Sequence, residues 1–200
     1  TVEELADGSS TPVINGLSDL EHPCQILADY LTIWEKLGKY KGITVSYFGD
    51  GNNNVTHSFL LMSVLMGNEF RCASPKGYFM NPKIVAEANE IAKKTGGKIV
   101  QTTDPKAAVK GAQVVVTDTW VSMGLEAEKA KRLKIFPAYQ VTPALMKLAD
   151  KKAIFMHCLP AYRGKEVAGE VIDGKQSVVW QEAENRLHAQ KGLLAWLLEN

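Results

Sequence analysis

The side chains best suited to chemistry follow a short β-branched run. Residues 112–116 (AQVVV) predict a buried parallel strand that leads directly into Asp118 and Ser122. In open α/β sheets, ligands bind at the carboxyl ends of the strands, and a carboxylate with a hydroxyl and loop amides suits a free amino acid. The alternative is an ordinary turn in which Asp118 caps a helix.

A second polar pair stands at the start of a predicted helix. Pro23 fits the first helical position and Gly38 the end. The inward face is predicted to carry Leu27, Tyr30, Leu31 and Trp34. His22 and Gln25 then project where backbone amides favour a partially negative oxygen, so they could hold a small amide or acyl group. A histidine cap beside a solvated glutamine is the alternative.

A Gly-rich turn at residues 49–54 (GDGNNN) links a predicted strand, 42–48, to a helix. This order suggests a dinucleotide site, but Asn54 stands where the third glycine of that fingerprint belongs. The next strand, 69–73, ends without an acidic residue that could hold a ribose. The sequence therefore argues against NAD or NADP, and we expect one asparagine to cap the helix while another faces a ligand.

Polar residues also end the strand predicted at 153–156. Successive strand residues point to opposite faces, so His157 is poorly placed as a base for Cys158, and burial of an inert thiol is the alternative to a catalytic role.

The last helix, 181–198, is predicted to turn its leucines inward and to carry Arg186 at the border of that apolar stripe. A brief strand is predicted at 11–14, and a solvated, charged helix at 126–134.

The composition is that of a globular protein, with 46% hydrophobic residues among 200. The balance of 23 basic and 22 acidic residues predicts binding neither to nucleic acid nor to a membrane surface. No apolar run approaches the roughly 20 residues that cross a bilayer. Three cysteines without C-x-x-C spacing favour a reducing, cytoplasmic compartment, and the first residue, Thr1, indicates a processed or shortened chain.

Taken together, these segments resemble the aspartate/ornithine carbamoyltransferase family over essentially the whole chain. Residues 22–25 (HPCQ) are similar to its HPxQ signature, and residues 157–160 (HCLP) look like its ornithine branch. Residues 118–124 (DTWVSMG) resemble the ornithine-binding loop, and residues 184–186 (ENR) also match.

The resemblance implies transfer of a carbamoyl group from carbamoyl phosphate to the side-chain amine of L-ornithine, without cofactor or metal. The carbamoyl group would be held by His22, Gln25 and Arg186, and its nitrogen would donate to the Leu159 carbonyl. The residues implied to fix ornithine are Asn53 or Asn54, Asp118, Ser122 and the Met123 amide. Cys158, with Asp118, would orient the amine and help to deprotonate it.

The resemblance also implies a domain organisation. Residues 1–37 would end a carbamoyl-phosphate-binding domain, residues 38–180 would form an α/β ornithine domain with a Rossmann-like, doubly wound parallel sheet, and residues 181–200 would return to the first domain. The family's phosphate-binding SxRTR motif is absent from the sequence, and intact members form homotrimers. We therefore expect little or no carbamoyltransferase activity from this polypeptide alone. A non-catalytic ornithine-binding module and an NAD(P)-binding domain are the alternatives.

Overall fold

The computed structural model describes residues 1–122 and 124–199. Within these residues, strands alternate with helices along most of the chain. The strands are β1 Thr44–Phe48, β2 Glu69–Ala73, β3 Lys98–Thr102, β4 Val114–Thr117 and β5 Ile154–Met156. The helices are α1 Val2–Asp7, α2 Pro23–Leu37, α3 Asn54–Leu65, α4 Pro82–Thr95, α5 Pro105–Val109, α6 Lys129–Ile135, α7 Pro143–Met146, α8 Gly169–Ile172 and α9 Val179–Glu199. Two 3₁₀ turns lie at Glu126–Glu128 and Phe136–Tyr139.

All the strand pairs of the five-stranded sheet are parallel, in the order β3-β2-β1-β4-β5. The order reverses direction between β1 and β4, where Phe48 lies opposite Thr117. Chain segments leaving these two strands depart to opposite sides of the sheet, which opens a crevice at their carboxyl ends. The predicted α/β fold with a doubly wound parallel sheet is confirmed.

Each face of the sheet buries its own apolar layer. On one face, Tyr47 and Phe70 pack with α2, α3 and α4. On the other, Phe48 and Phe155 pack with α5, α7 and α8. Because successive strand residues point to opposite faces, adjacent Tyr47 and Phe48 serve the two layers, and strands buried on both faces read as continuous hydrophobic runs.

Two helices bury faces other than the predicted ones. In α2, Leu27 and Trp34 are exposed, while Ile26 and Ile33 join Tyr30 in the core. In α9, Leu187, Leu194 and Leu198 are exposed, and buried positions are occupied by Val179, Glu182 and Asn185. The predictions were wrong because α2 and α9 meet through polar groups: the Asn185 amide donates to the Thr32 hydroxyl at 2.8 Å.

Two further expectations are corrected. Residues 11–14 form no strand, because a strand needs a neighbouring strand, and no strand of residues 1–122 or 124–199 pairs with them. In α6, Arg132 is buried rather than solvated, and its guanidinium pairs with the equally buried Asp50 carboxylate.

Searched over the described residues, the helices include none with the length and apolarity needed to cross a membrane.

The turn after β1 depends on the absence of a side chain at Gly51. A Cβ there would lie 2.7 Å from the Tyr78 carbonyl oxygen and 2.8 Å from the Ser74 hydroxyl oxygen. Gly51→Ala is therefore expected to lower the free energy of unfolding by about 1–3 kcal/mol, measured by urea denaturation. Gly16→Ala, where the new methyl would meet nothing within 4 Å, is the matched control. Equal stability of the two variants would contradict the prediction.

Candidate active site

The start of α2 meets the middle of α9 through a glutamine–arginine pair. Gln25 is buried in the first turn of α2, and its Oε1 accepts a hydrogen bond from Arg186 Nη1 at 2.6 Å. Its Nε2 donates to Asp29 Oδ1 at 2.8 Å. Both ends of the carboxamide are thus assigned, and the guanidinium, which is always charged, stands beside a helix amino end.

His22 occupies the N-cap position of α2. Its Nδ1 lies 3.1 Å from the Gly16 carbonyl oxygen, and its backbone N–H donates to the Ser58 hydroxyl at 2.9 Å. A carbonyl only accepts, so the ring proton lies on Nδ1 and Nε2 carries a lone pair in the neutral ring. Burial, followed by the Arg186 charge, lowers the pKa of His22 and favours that neutral form.

The asparagines after β1 do not divide their tasks as the sequence predicted, because Asn53 both caps α3 and contacts Asp118. Asn53 caps α3 by accepting from the Thr56 N–H at 2.7 Å, and its Nδ2 reaches Asp118 Oδ2 at 3.4 Å and the Tyr47 hydroxyl at 2.9 Å. Asn54 Nδ2 donates to the Ser18 carbonyl at 2.9 Å, on the segment that leads to α2. The two amides therefore link the β1 turn to the loop after β4 and to the start of α2.

Asp118 and Cys158 meet across the ends of β4 and β5. The Cys158 thiol donates to Asp118 Oδ1 at 3.4 Å, and the same oxygen accepts from the Thr119 N–H at 2.7 Å. Burial raises the pKa of Asp118. Burial and then the negative charge of Asp118 raise the pKa of Cys158 well above its usual range, so the thiol is neutral at physiological pH.

The turn that carries Cys158 is held by its neighbours. His157 Nδ1 accepts from the Leu159 N–H at 2.9 Å, and its Nε2 lies 3.3 Å from the buried Glu166 carboxylate. Leu159 adopts a left-handed φ of 58° and precedes a cis peptide bond to Pro160. A non-glycine residue in that region is uncommon and is often found at functional sites.

In the described part of the chain, three of these residues bring together atoms of the kinds that can bind a metal ion. Atoms of Asp118, His157 and Cys158 lie within 4.8 Å of one another. However, His157 Nδ1 already accepts from the Leu159 N–H, and its Nε2 lies 3.3 Å from the Glu166 carboxylate without a hydrogen bond. A neutral thiol is also a poor ligand. The cluster is therefore suited to hydrogen bonding rather than to metal coordination.

The loop after β4 is anchored from behind by a residue that sequence reasoning assigned to solvent. Arg132 donates to Asp50 Oδ2 at 2.5 Å and to the Trp120 carbonyl at 3.1 Å. Ser122 lies in this loop, where its carbonyl accepts from the Leu125 N–H. The Met123 amide, predicted to contact the substrate, lies outside the described residues. Arg132 thus joins the loop after β4 to the turn after β1.

Sequence reasoning also missed two buried carboxyl groups, Asp29 and Glu182. Each lies one helical turn from a predicted site residue, Asp29 from Gln25 and Glu182 from Arg186. This i, i+4 spacing was available in the sequence, because residues four apart share a helix face. An acidic residue on a helix is ordinarily solvated, so the spacing alone gave no reason to expect burial.

The dinucleotide alternative loses its structural basis. Gly51 is needed for contact with Tyr78 and Ser74 within the protein, not for the approach of a pyrophosphate. The amino end of α3, where such a phosphate would bind, is already capped by the Asn53 side chain.

Comparison with known proteins identifies a family. The family model for the Asp/Orn binding domain of aspartate/ornithine carbamoyltransferase matches residues 41–197, and the model for the carbamoyl-P binding domain matches residues 1–35. The ornithine carbamoyltransferase of Leifsonia xyli is 57% identical over 197 residues, which are 98% of this chain and 63% of that protein.

Two solved structures are similarly close. Ornithine carbamoyltransferase from Pyrococcus furiosus superimposes with a TM-score of 0.92 at 52% identity, over 97% of this chain and 62% of that one. The Gloeobacter violaceus enzyme gives a TM-score of 0.90 at 45% identity, over 98% and 65%. The chain thus spans a little under two thirds of the length of these relatives. Because the match covers nearly all of its own residues, the chain belongs to the aspartate/ornithine carbamoyltransferase family.

Proposed function

We propose that this chain supplies the ornithine site and part of the carbamoyl site of an ornithine carbamoyltransferase, which makes L-citrulline and phosphate from L-ornithine and carbamoyl phosphate. The observation that carries this proposal is that two clusters of polar side chains lie near the same edge of the sheet. Gln25 and Arg186 suit a planar carbamoyl group, and the Asn53–Asp118–Cys158 cluster suits an amino acid. No cofactor or metal is needed for the transfer of an activated acyl group.

For the carbamoyl group, Arg186 is the permanently charged donor to the carbonyl oxygen. Gln25 Oε1 and the Leu159 carbonyl are acceptors suited to the carbamoyl nitrogen. His22 could donate through Nε2 only with a second proton, which its lowered pKa opposes. We therefore assign most of the polarisation of the carbonyl to Arg186, with His22 lining the same end of the site.

For ornithine, Asp118 is the anion suited to the α-ammonium group. Asn53 or Asn54, Ser122 and the Met123 amide are the partners proposed for the α-carboxylate. The side-chain amine would lie at the Cys158 sulfur. Since that thiol is neutral and already donates to Asp118, it can accept the amine proton as it passes its own proton to the carboxylate.

The reaction then follows from proximity. The amine nitrogen attacks the carbonyl carbon, the tetrahedral oxyanion is stabilised by Arg186, and the bond to phosphate breaks. Holding both substrates in register can lower the barrier by about 10 kcal/mol. Binding of the leaving phosphate dianion needs additional cationic donors, which the family's SxRTR motif would provide in a longer chain.

The proposed organisation follows the same division. Residues 1–37 are assigned to the carbamoyl-phosphate domain, residues 38–180 to the ornithine domain, and residues 181–200 to a helix that returns to the first domain. Exposed Trp34, Leu187 and Leu194 support a further apolar contact along α2 and α9. We propose a homotrimer in the intact enzyme, a place in arginine metabolism and a cytoplasmic location, the last supported by three free cysteines.

The first test is calorimetric titration of L-norvaline, which resembles ornithine without its side-chain amine, into the protein. Binding is expected, and Asp118→Asn is expected to weaken it at least tenfold because the ammonium loses its anion. Asp173→Asn removes an exposed carboxylate paired with Arg163 and should leave binding unchanged. Absence of norvaline binding by the wild-type protein would contradict an ornithine site in this chain.

The raised pKa of Asp118 predicts how binding depends on pH. A carboxyl with a raised pKa takes up its proton at higher pH than an ordinary aspartate, so acidification should weaken norvaline binding before the usual aspartate range is reached. The residual affinity of Asp118→Asn should not change over the same interval. Parallel pH profiles for the two proteins would remove Asp118 from the site.

Turnover is the third test. With both substrates supplied, the 200-residue chain is expected to form little or no citrulline, because it lacks the arginines that would neutralise the phosphate dianion. A colorimetric citrulline assay measures this, with a full-length relative as positive control. Citrulline formation at a rate comparable with that relative would show that the chain binds phosphate by other means.

A further inference from the structure

Two carboxyl groups lie buried behind the Gln25–Arg186 pair. Asp29 of α2 is 0% exposed and Glu182 of α9 is 1% exposed, and the two side chains are within hydrogen-bonding reach of each other. Two ionised carboxylates in contact inside a protein are strongly unfavourable, because each is desolvated and each repels the other. The pair therefore requires a compensating positive charge or a proton.

Each carboxyl group of the pair has one oxygen that accepts a hydrogen bond and one oxygen that has no donor. Asp29 Oδ1 accepts from Gln25 Nε2 at 2.8 Å, and Glu182 Oε2 accepts from the His157 N–H at 2.9 Å. The other oxygen of each group, Asp29 Oδ2 and Glu182 Oε1, has no donor. One proton donated from either carboxyl to the other removes the repulsion and gives the pair the hydrogen bond that it lacks.

The charges around the pair favour the same solution. Arg186 approaches from α9, but it already donates to Gln25. Asp118 and the neutral Cys158 thiol face the pair from the ends of β4 and β5, so this side contributes a further negative charge. Burial raises the pKa of Asp29 to about 7 and raises that of Glu182 well above its usual range.

We propose that Asp29 and Glu182 share a single proton and act as a positioning pair for the active site. With the proton between the two carboxyls, Asp29 Oδ1 remains an acceptor. The Gln25 carboxamide must then turn its nitrogen toward Asp29 and its oxygen toward Arg186 and the site. On the other side, Glu182 holds the His157 backbone at the start of the turn that carries Cys158.

This orientation has a consequence for specificity, which depends on the proposed function. A glutamine oxygen at the site accepts from the nitrogen of a carbamoyl group, whereas it gains nothing from the methyl group of an acetyl analogue. Arg186 has only donors, so it binds the Gln25 oxygen, and an Asp29 Oδ1 free of the proton accepts from the Gln25 nitrogen in the same orientation. The shared proton and Arg186 therefore act together to keep Gln25 Oε1 an acceptor for the carbamoyl nitrogen.

The test is an NMR pH titration of the unliganded protein, following the Gln25 side-chain amide and the His157 backbone amide. Each donates to one member of the pair, so both resonances should move together, with one midpoint at or above pH 7. The matched control is the Arg71 Nε–H, which donates to Glu69. Arg71 lowers the pKa of Glu69, so that signal should move only in the acid range. Separate midpoints near those of ordinary carboxyl groups would overturn the proposal.

Glu182→Gln supplies a second, sharper measurement. The new amide can accept from the His157 N–H and donate to Asp29, so it replaces the shared proton without being able to titrate. The Gln25 resonance should keep its wild-type position at pH 6 and lose the response centred near pH 7. A Gln25 signal that still titrated at the wild-type midpoint would overturn the proposal. If the variant does not fold, the wild-type titration decides alone.

The two proposals fail separately. Loss of norvaline binding with an intact joint titration would remove the ornithine site and leave the proton-sharing pair. Norvaline binding without the joint titration would leave the ornithine site and remove the proton-sharing pair. As a stability check, the wild-type free energy of unfolding should fall as pH rises from about 4, the range of unfolded carboxyl groups, to about 7, because the folded pair binds a proton that the unfolded chain has released. Glu182→Gln should lack that decline, and an equal decline in both proteins would contradict the shared proton.

Discussion

The contact between α2 and α9 is the constraint on which the candidate active site depends, and it is made through polar side chains. Three successive layers join the helices: Gln25 with Arg186, Asp29 with Glu182, and Thr32 with Asn185. A buried polar group without a partner costs about 1–3 kcal/mol, so sliding one helix by a turn would break every layer at once. An apolar seam would tolerate such a shift far better, because hydrophobic contact is not directional. These polar contacts therefore fix the helix register that brings Gln25 and Arg186 together.

The sheet supplies the second half of the arrangement. Parallel strands deliver their carboxyl ends to one edge, and the reversal of strand order between β1 and β4 leaves that edge open. Asn53, Asp118 and Cys158 come from three different strand ends, yet they form one hydrogen-bonded chain. The Arg132–Asp50 ion pair then binds two of those segments together from behind. Because this ion pair is buried and its two residues belong to different segments, movement of either segment would leave a buried charge without its partner.

The site also shows how one architecture serves different chemistry. The strand order is that of dinucleotide-binding folds, and the first turn is rich in glycine as it is in them. Here Gly51 allows close packing within the protein, and the Asn53 side chain caps the helix at whose amino end a phosphate would bind. Fold and turn composition thus point to a crevice, while the identity of the ligand depends on the side chains around it.

The sequence by itself determined the five strands of the sheet, their alternation with helices, and the segments that carry the candidate site, although the strand predicted at residues 11–14 does not form. These features are local: β-branched runs, a proline at the start of α2, a glycine at its end, and polar residues directly after strands. The sequence did not determine which faces α2 and α9 bury. Leucines at helical spacing predicted an apolar face for α9, whereas Glu182 and Asn185 are inside. Only the tertiary structure decides this, because a buried carboxyl or amide is tolerable only when its partner arrives from a distant part of the chain. Asp29 and Glu182 lie 153 positions apart, and the sequence around either residue does not predict its contact with the other.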